Sequence, residues 1–414
     1  MIETAEIVSS LWLAICLLVV LGRLYQGYRS VVLFVFLVFY VLFALPLLLD
    51  LAFGIPEYSQ EPGFLYASQD PMVRVLYCAF VDVIPLIWLR FLKRQKMSTA
   101  QTVSALAAVR RLRPILFTVL LSPIAAVMFA PNPLLYLNYA FIVTDQVSTT
   151  TSAYHSLVMS TAYLATMAAA GIIAGARRVW TAFVVVVPFL AIAAWLSGKR
   201  IVVAIAIAMV LAALWLAGRL PRRRLAIAFV VATLVVSSFS YLYQSYTRRI
   251  GVATALSSDV YENARIDYAR DSRVKMVLFA ELYPSVSPIL EFRGQSALFN
   301  LTAWIPRSLW PDKPYPYAVY FTSAMLNSSP VDRGWGMTTS VLDEAIANFS
   351  WFGLALGPIV LGLLCRVGDS TNDLLIALLT AIVVSLLLAV ELVAFAPLFL
   401  LWLALVVRKK VRIS

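Results

Sequence analysis

The sequence predicts an all-α polytopic membrane protein with about 11 transmembrane helices and one large, partly helical loop. Hydrophobic residues make up 62% of its 414 residues and the mean hydropathy is +0.87, well above the values of soluble domains. Apolar runs near the length of about 20 residues that spans a bilayer recur along the chain. The third observation is that basic residues concentrate in alternate loops between these runs.

Eleven apolar runs of near-spanning length define the predicted helices. They are 5–22, 31–53, 72–92, 114–131, 156–176, 179–196, 201–218, 225–243, 341–364, 372–388 and 391–407. We interpret the last two as a tight hairpin broken near Glu391, because one helix over 372–407 would be about 54 Å long. The N-terminal residues lack the basic region of a cleavable signal peptide, so we expect the first run to be retained.

The loop charges predict the orientation. If the runs alternate across the membrane, one side receives twenty Lys and Arg, and the other receives only Arg74, Lys199 and Arg200 outside the large loop. Because short basic loops stay in the cytoplasm, we expect an outside N-terminus, a cytoplasmic C-terminus and an outside large loop. The chain then divides into transmembrane helices 1–8 (residues 1–243), the large loop (244–340), and helices 9–11 with a basic tail (341–414).

The large loop holds ten of the 33 Lys and Arg and eight of the 21 Asp and Glu, so we expect the function to depend on it. A helix is predicted from Ser258 to about Leu282. We interpret its charges, which include Asp271 and Arg273, as a solvated, salt-bridged face. Arg249 follows an aromatic belt at the expected membrane interface.

The run Trp304–Pro314 is the most unusual part of this loop. Four prolines between 306 and 316 exclude a regular helix and predict a rigid extended or turn segment. Trp310 can stack on a sugar face, while Arg307 and Lys313 present cations from a stiff backbone. This combination suits a phosphate-linked sugar, and the alternative is an interfacial membrane anchor.

A cationic turn precedes the seventh run. Lys199 and Arg200 close the sequence Ser197–Arg200. They are either snorkelling side chains that mark the end of a span or a cationic site for a phosphate.

Polar groups also open the ninth run. Ser340 and Asp343 have the spacing of a capping box. Glu344 and Asn348 share one helix face just inside the membrane, where such groups are costly unless they face a cavity or a partner. Because capping accounts for Asp343 better than for Glu344, Glu344 is a candidate functional carboxylate.

Several function classes are excluded. The chain has one His, and none of its three Cys is in the large loop, so we expect neither a zinc site nor a disulfide framework. No phosphate-cradling Gly loop, Ser-His-Asp set or internal repeat is present. We expect no metal, no cofactor and no nucleic-acid partner.

Asp82, in mid-span before Pro85, is either a buried polar contact or a proton-relay group and would favour a transporter.

With these features the chain resembles the O-antigen polymerases, the Wzy-type oligosaccharide repeat-unit polymerases of bacterial envelopes. The resemblance rests on the Ser197–Arg200 turn, the large outer loop, the run Ile305–Pro314, and the stretch Gly334–Gly353 with its Glu344 and Asn348. It covers mainly residues 195–360.

This resemblance implies a multi-pass glycosyltransferase of the bacterial cytoplasmic (inner) membrane, with a periplasmic loop and no metal. It would polymerise undecaprenyl-pyrophosphate-linked repeat units into O-antigen, capsule or exopolysaccharide, working with a chain-length regulator and a flippase. The expected pyrophosphate clamp is Arg200, Arg307 and Lys313, with Arg249 and Arg273 behind them, and Lys199, Trp310 and Asn348 as further substrate contacts. Glu344 is the first choice for the catalytic carboxylate and Asp312 the second.

Three other classes remain open. An O-antigen ligase uses the same donor, but ligases of this superfamily place a His in the large loop, and this loop has none. A polyprenyl-phosphate-sugar transferase would carry an acidic pair in the first outer loop, where this chain has only the spaced Glu57, Glu61 and Asp70. A transporter of a glycan or small solute would use Asp82, Asp50 and Glu391, but it predicts a repeat or broken-helix pattern that is not evident.

Overall fold

The computed structural model describes residues 2–58, 61–92, 99–139, 149–217, 219, 231, 265, 268–305, 307–330, 336–371 and 373–411. These residues form helices and connecting segments and contain no β-strand, so the predicted all-α class is confirmed.

The helices before the large loop are α1 (Ile2–Tyr25), α2 (Val31–Phe53), α3 (Pro62–Gln69), α4 (Pro71–Leu89), α5 (Thr99–Arg111), α6 (Arg113–Met128), α7 (Thr149–Gly175), α8 (Val179–Ser197) and α9 (Arg200–Leu216). Those that follow are α10 (Asp271–Leu282), α11 (Gln295–Thr302), α12 (Tyr317–Met325), α13 (Val341–Phe349), α14 (Gly353–Ser370), α15 (Leu374–Ala389) and α16 (Ala396–Val411).

Within the described residues, seven segments are long and apolar enough to cross a bilayer. They are Ile2–Tyr25, Val31–Phe53, Pro71–Leu89, Tyr154–Gly175, Val179–Ser197, Val341–Ser370 and Leu392–Lys409. Three shorter apolar helices are Arg113–Met128, Val202–Trp215 and Leu375–Ala389. Each coincides with one of the predicted runs, and the run 225–243 lies largely outside the described residues. The chain is an α-helical, multi-pass membrane protein.

Pro46 shapes α2 and couples it to the large loop. Proline has no N–H, so the carbonyl of Leu42, four residues earlier, lacks its usual helical donor. The backbone widens to a π-helical turn at Tyr40–Ala44. Arg270, immediately before α10, donates its backbone N–H to the Leu42 oxygen at 2.8 Å. A single proline therefore creates the acceptor to which the loop attaches.

The break predicted near Glu391 is present. Helix α15 ends at Ala389, and Val390 and Glu391 have extended backbone before a 3-10 turn leads into α16. Arg270 donates from Nε to the Ala389 oxygen at 2.9 Å. A loop residue thus satisfies a carbonyl at the end of α15 that has no donor within its own helix.

The solvated face predicted for the loop helix is wrong in its described part, α10, and the predicted start at Ser258 lies outside the described residues. Helix α10 packs among α3, α4 and α13. Asp271, Arg273 and Lys275 are buried, with exposed fractions of 0%, 1% and 2%. Charges are buried in proteins only where they are paired and hydrogen-bonded. The sequence showed the charges but not the partner that allows their burial.

Asp50 on α2 is that partner. Arg265 donates to Asp50 and to Asp271 at 2.8 Å each, and Lys275 lies 2.9 Å from Asp271 and 3.4 Å from Asp50. We call these four residues, two acids and two bases, the ion cluster. Burial opposes ionisation of Asp271, but Arg265 and Lys275 outweigh it and hold the pKa of that carboxyl well below its usual range.

The lowered pKa of Asp271 makes the stability of the folded protein depend on pH in a defined direction. Because the carboxyl of Asp271 has a lower pKa in the folded than in the unfolded protein, it stabilises the fold above a pH of about 4. That contribution is lost as the pH falls further, through the folded-state pKa.

Replacing Lys275 with Met should destabilise the protein by about 3–5 kcal/mol, because two buried carboxylates would then share one cation. The measurement is thermal unfolding of the detergent-solubilised protein. The double variant Lys275→Met/Asp271→Asn, which restores neutrality, should recover part of the loss.

Lys409→Met is the matched control, since the Lys409–Asp373 pair at 3.3 Å is substantially exposed. It should leave the melting temperature nearly unchanged. Equal melting of Lys275→Met and the wild type would show that the ion cluster does not hold α10 in place.

Candidate functional site

Glu344 and Asn348 lie on one face of α13 and connect it to α11. Glu344 Oε1 accepts hydrogen bonds from Ser296 Oγ and Asn300 Nδ2, both at 2.9 Å. Asn348 Nδ2 donates to Ser296 Oγ at 2.7 Å, and its Oδ1 accepts the Ala297 N–H at 3.2 Å. Among the described residues none donates to Oε2 of Glu344. The carboxylate is therefore oriented through one oxygen and has the other available.

The predicted capping box fixes the start of α13. Ser340 Oγ accepts from the Asp343 N–H at 3.4 Å, and Asp343 Oδ1 accepts the Ser340 N–H at 2.8 Å. Both residues are fully buried. Because the first turn is held in this way, the position of Glu344, the next residue, is determined by its backbone.

Helix α13 ends after only nine residues. Ser350 has a φ of 55°, in the left-handed region that ordinary residues rarely adopt. Gly353 then starts α14, and a Cβ there would lie 2.2 Å from the Ala345 oxygen. Only glycine allows the start of α14 to approach the backbone of α13 this closely.

Two further polar side chains lie on or against the first turn of α12. Glu391 Oε2 accepts the Ala318 N–H at 3.2 Å in this turn. Burial, followed by the charges of Asp343 and Glu344, raises the pKa of Tyr317 well above its usual range. Its hydroxyl therefore stays protonated and remains a donor.

The proline-rich segment forms turns and extended backbone, as predicted. Arg307 donates to the carbonyls of Lys313 at 2.7 Å and Pro314 at 2.9 Å. Its guanidinium lies 4.2 Å from the centre of the Tyr315 ring. Arg307 remains exposed, so a cation is held in a fixed position while part of it faces outward.

Lys313 joins this segment to α11. Its Nζ donates to the carbonyls of Ala303 at 3.0 Å and Ile305 at 2.9 Å and lies 4.8 Å from the centre of the Phe299 ring on α11. Desolvation, with the nearby charge of Arg307, lowers the pKa of Lys313. Since Lys313 is buried and bonded to backbone, its direct effect is to position the segment.

Large apolar side chains are exposed along the same segment. Leu301, Trp304 and Leu309 are 75%, 80% and 78% exposed. Trp310 is half-buried, and Asp312 is exposed. An apolar edge beside a fixed cation is the composition of a membrane–water interface. This exposure is what the alternative of an interfacial anchor predicts, and both that alternative and the cationic site stay predictions.

The remaining predicted residues lie elsewhere. Lys199 is half-buried before α9, and Arg200 is described only as the first residue of α9. Arg249 lies outside the described residues. Arg273 is buried behind the capping box, where its Nη1 donates to the Ala269 oxygen at 2.9 Å and its Nε to the Thr338 oxygen at 3.3 Å.

Sequence reasoning missed the partners on α11. Ser296 and Asn300 stand four residues apart, the same spacing as Glu344 and Asn348. Two such pairs predict matching polar faces on two short helices. This spacing was the signal in the sequence for the contact between α11 and α13. Glu391, which the sequence suggests for transport, accepts the Ala318 N–H at the start of α12.

No protein-family model, curated protein or solved structure matches this chain. Function is therefore inferred from the chemistry of these residues.

Replacing Asn348 with Ala should destabilise the protein by about 1–3 kcal/mol. The reason is that the Ala297 N–H and the backbone oxygen of Glu344 each lose a hydrogen bond to the Asn348 side chain. Thermal unfolding measures this. Asn132→Ala is the control, since the exposed Asn132 makes one long hydrogen bond of 3.4 Å to Thr151. If both variants melt alike, Asn348 does not hold α11 against α13.

Proposed function

We propose that this protein polymerises oligosaccharide repeat units carried on undecaprenyl pyrophosphate, by glycosyl transfer at the outer face of a bacterial cytoplasmic membrane. The product is a surface polysaccharide of the O-antigen, capsule or exopolysaccharide type. The observation that carries the proposal is Glu344, a largely buried carboxylate oriented by Ser296 and Asn300 beside a segment that fixes an exposed arginine.

Glu344 fits the role of general base. The terminal sugar hydroxyl of one lipid-linked repeat unit gives its proton to Oε2 of Glu344 and attacks the anomeric carbon of the growing chain. A glycosidic bond forms as the bond from that carbon to the pyrophosphate oxygen breaks. Undecaprenyl pyrophosphate leaves with the electron pair, and Glu344 later returns the proton to water.

Arg307 fits the role of a fixed cation for the leaving group. Because its guanidinium is held by Lys313 and Pro314 carbonyls and by Tyr315, it need not reorganise as charge develops on the pyrophosphate. The apolar edge of Leu301, Trp304 and Leu309 supports a location at headgroup level, where a polyprenyl carrier presents its phosphates. Arg200 at the start of α9 and Lys199 are proposed as further cations.

The proposal includes the finer topology. Eleven spans place the N-terminus and the loop in the periplasm and the C-terminus in the cytoplasm, as the distribution of basic residues favours. No nucleotide sugar is needed on that face. A flippase that supplies the substrate and a chain-length regulator are the proposed partners.

The test is the glycan profile of a strain of the source organism lacking this gene and complemented with variants. Glu344→Gln keeps an oxygen for Ser296 and Asn300 but loses the charge, so chain extension should fall by about 10²–10⁴-fold. Arg307→Ala and Arg200→Ala should also leave single repeat units on the final acceptor. Arg307→Lys should retain part of the activity.

Arg408→Ala, which removes an exposed cation of the C-terminal tail, is the control and should give normal chains. Two results contradict the proposal. Repeat units that accumulate on undecaprenyl pyrophosphate and never reach the acceptor indicate a ligase. Normal polymer in the Arg and Glu variants, with export blocked by Asp82→Asn, indicates a transporter.

A further inference from the structure

A pocket of about 540 Å³ opens beside α10, away from the residues assigned to catalysis. It is formed where α3 packs against α10, together with the turn after α10 and the end of α12. Its volume is within the range of about 300–1,000 Å³ that small-molecule sites occupy. Met276 and Phe279 form its apolar floor, and Gly63 allows the close packing, since a Cβ there would lie 2.7 Å from the Met276 sulfur.

The pocket rim carries polar side chains that are not used by the fold. Tyr66, Gln69 and Asn327 are exposed, and their side chains make no hydrogen bond to a described residue. Asn327 has a φ of 50°, so its backbone is held in a left-handed conformation that sets the direction of the amide. These groups offer one aromatic ring and two amides, each amide both donor and acceptor.

The charge of the lining restricts the ligand. Asp70 is the carboxylate of the lining, and none of the described lining residues is cationic. Asp70 is oriented, since it accepts from the Val73 N–H at 2.9 Å and from the Tyr283 hydroxyl at 3.0 Å. A carboxylate without a cation repels phosphate and uronate groups. An uncharged ligand with many hydroxyls, presenting both donors and acceptors, matches the lining.

We infer that this pocket binds an uncharged sugar of the glycan substrate, at a position distinct from the phosphate-binding end. The inference rests on the proposed function.

The pocket and the catalytic carboxylate are linked through α10. Met276 and Phe279 face the pocket, whereas Glu281 turns to the other side, where it accepts from Arg293 at 2.8 Å and from Ser350 at 2.7 Å. Helix α10 therefore lines the pocket with one face and contacts the end of α13 with another.

The experiment uses the full-length protein in nanodiscs and the phosphate-free repeat-unit oligosaccharide, released by mild acid from the lipid-linked pool of the source strain. Binding is followed by saturation-transfer NMR. Tyr66→Ala should weaken binding about ten-fold and Asn327→Gly about five-fold, as expected for one stacking or hydrogen-bonding group. Asn327→Gly is informative because glycine accepts the same φ.

Tyr66→Phe, which keeps the ring, should bind as the wild type does. Val286→Trp should block the pocket, since Val286 is exposed at its rim. Inorganic pyrophosphate should not compete with the oligosaccharide. Unchanged binding in Tyr66→Ala and Val286→Trp, or competition by pyrophosphate, overturns the inference.

The same variants in cells separate this inference from the proposed function. Shortened chains in Tyr66→Ala and Val286→Trp, with normal amounts of folded protein, support the pocket. Normal chains in both, while the gene deletion abolishes polymer, overturn the pocket and leave the polymerase intact. Normal polymer in the deletion strain overturns the polymerase, and the pocket with it.

Discussion

Neutralisation of the charges buried on α10 is the constraint on which the other contacts depend. Asp50 on α2 completes the ion cluster with Arg265, Asp271 and Lys275. Removing a single member leaves an uncompensated charge in a low-dielectric environment, which costs far more than the cluster stabilises. The cluster therefore acts as an attachment point. It allows a strongly charged helix to pack against α3, α4 and α13, where α10 lines the pocket on one face and contacts the end of α13 on another.

Helix α11 has the corresponding role at the proposed site. Its eight residues carry Ser296 and Asn300, which orient Glu344, and Phe299, against which Lys313 packs. The carboxylate and the segment that holds Arg307 are thus both positioned by one short rigid helix, about 12 Å long. Groups that act on the two ends of one transfer need a fixed separation. A common helix provides this even though the groups are remote in sequence.

The sequence predicted the helices well and the burial of the loop poorly. Spans, the break at Glu391, the capping box of Ser340 and the non-helical proline segment follow from local rules of hydropathy, capping and backbone geometry. Long-range pairing does not. Nothing local to α10 identifies Asp50, more than two hundred residues earlier, as its partner. Glu344 and Asn348 were found because their cost in a membrane is evident from position, whereas Ser296 and Asn300 are ordinary residues of a polar loop.

The distribution of charge over the large loop and α3 has a consequence for how a glycan lipid would lie. Arg307 sits beside the exposed apolar edge of Trp304 and Leu309, so anionic phosphates are favoured where acyl chains also contact the protein. The pocket lined by Tyr66 has the opposite charge, with one oriented carboxylate and neutral amides. If the proposed function holds, a molecule with a lipid, a pyrophosphate and an uncharged sugar chain would meet a matching environment at each part. Binding of this molecule in the reverse orientation would place its phosphates beside Asp70. The electrostatic repulsion between them would favour one orientation without a contact specific to any one sugar.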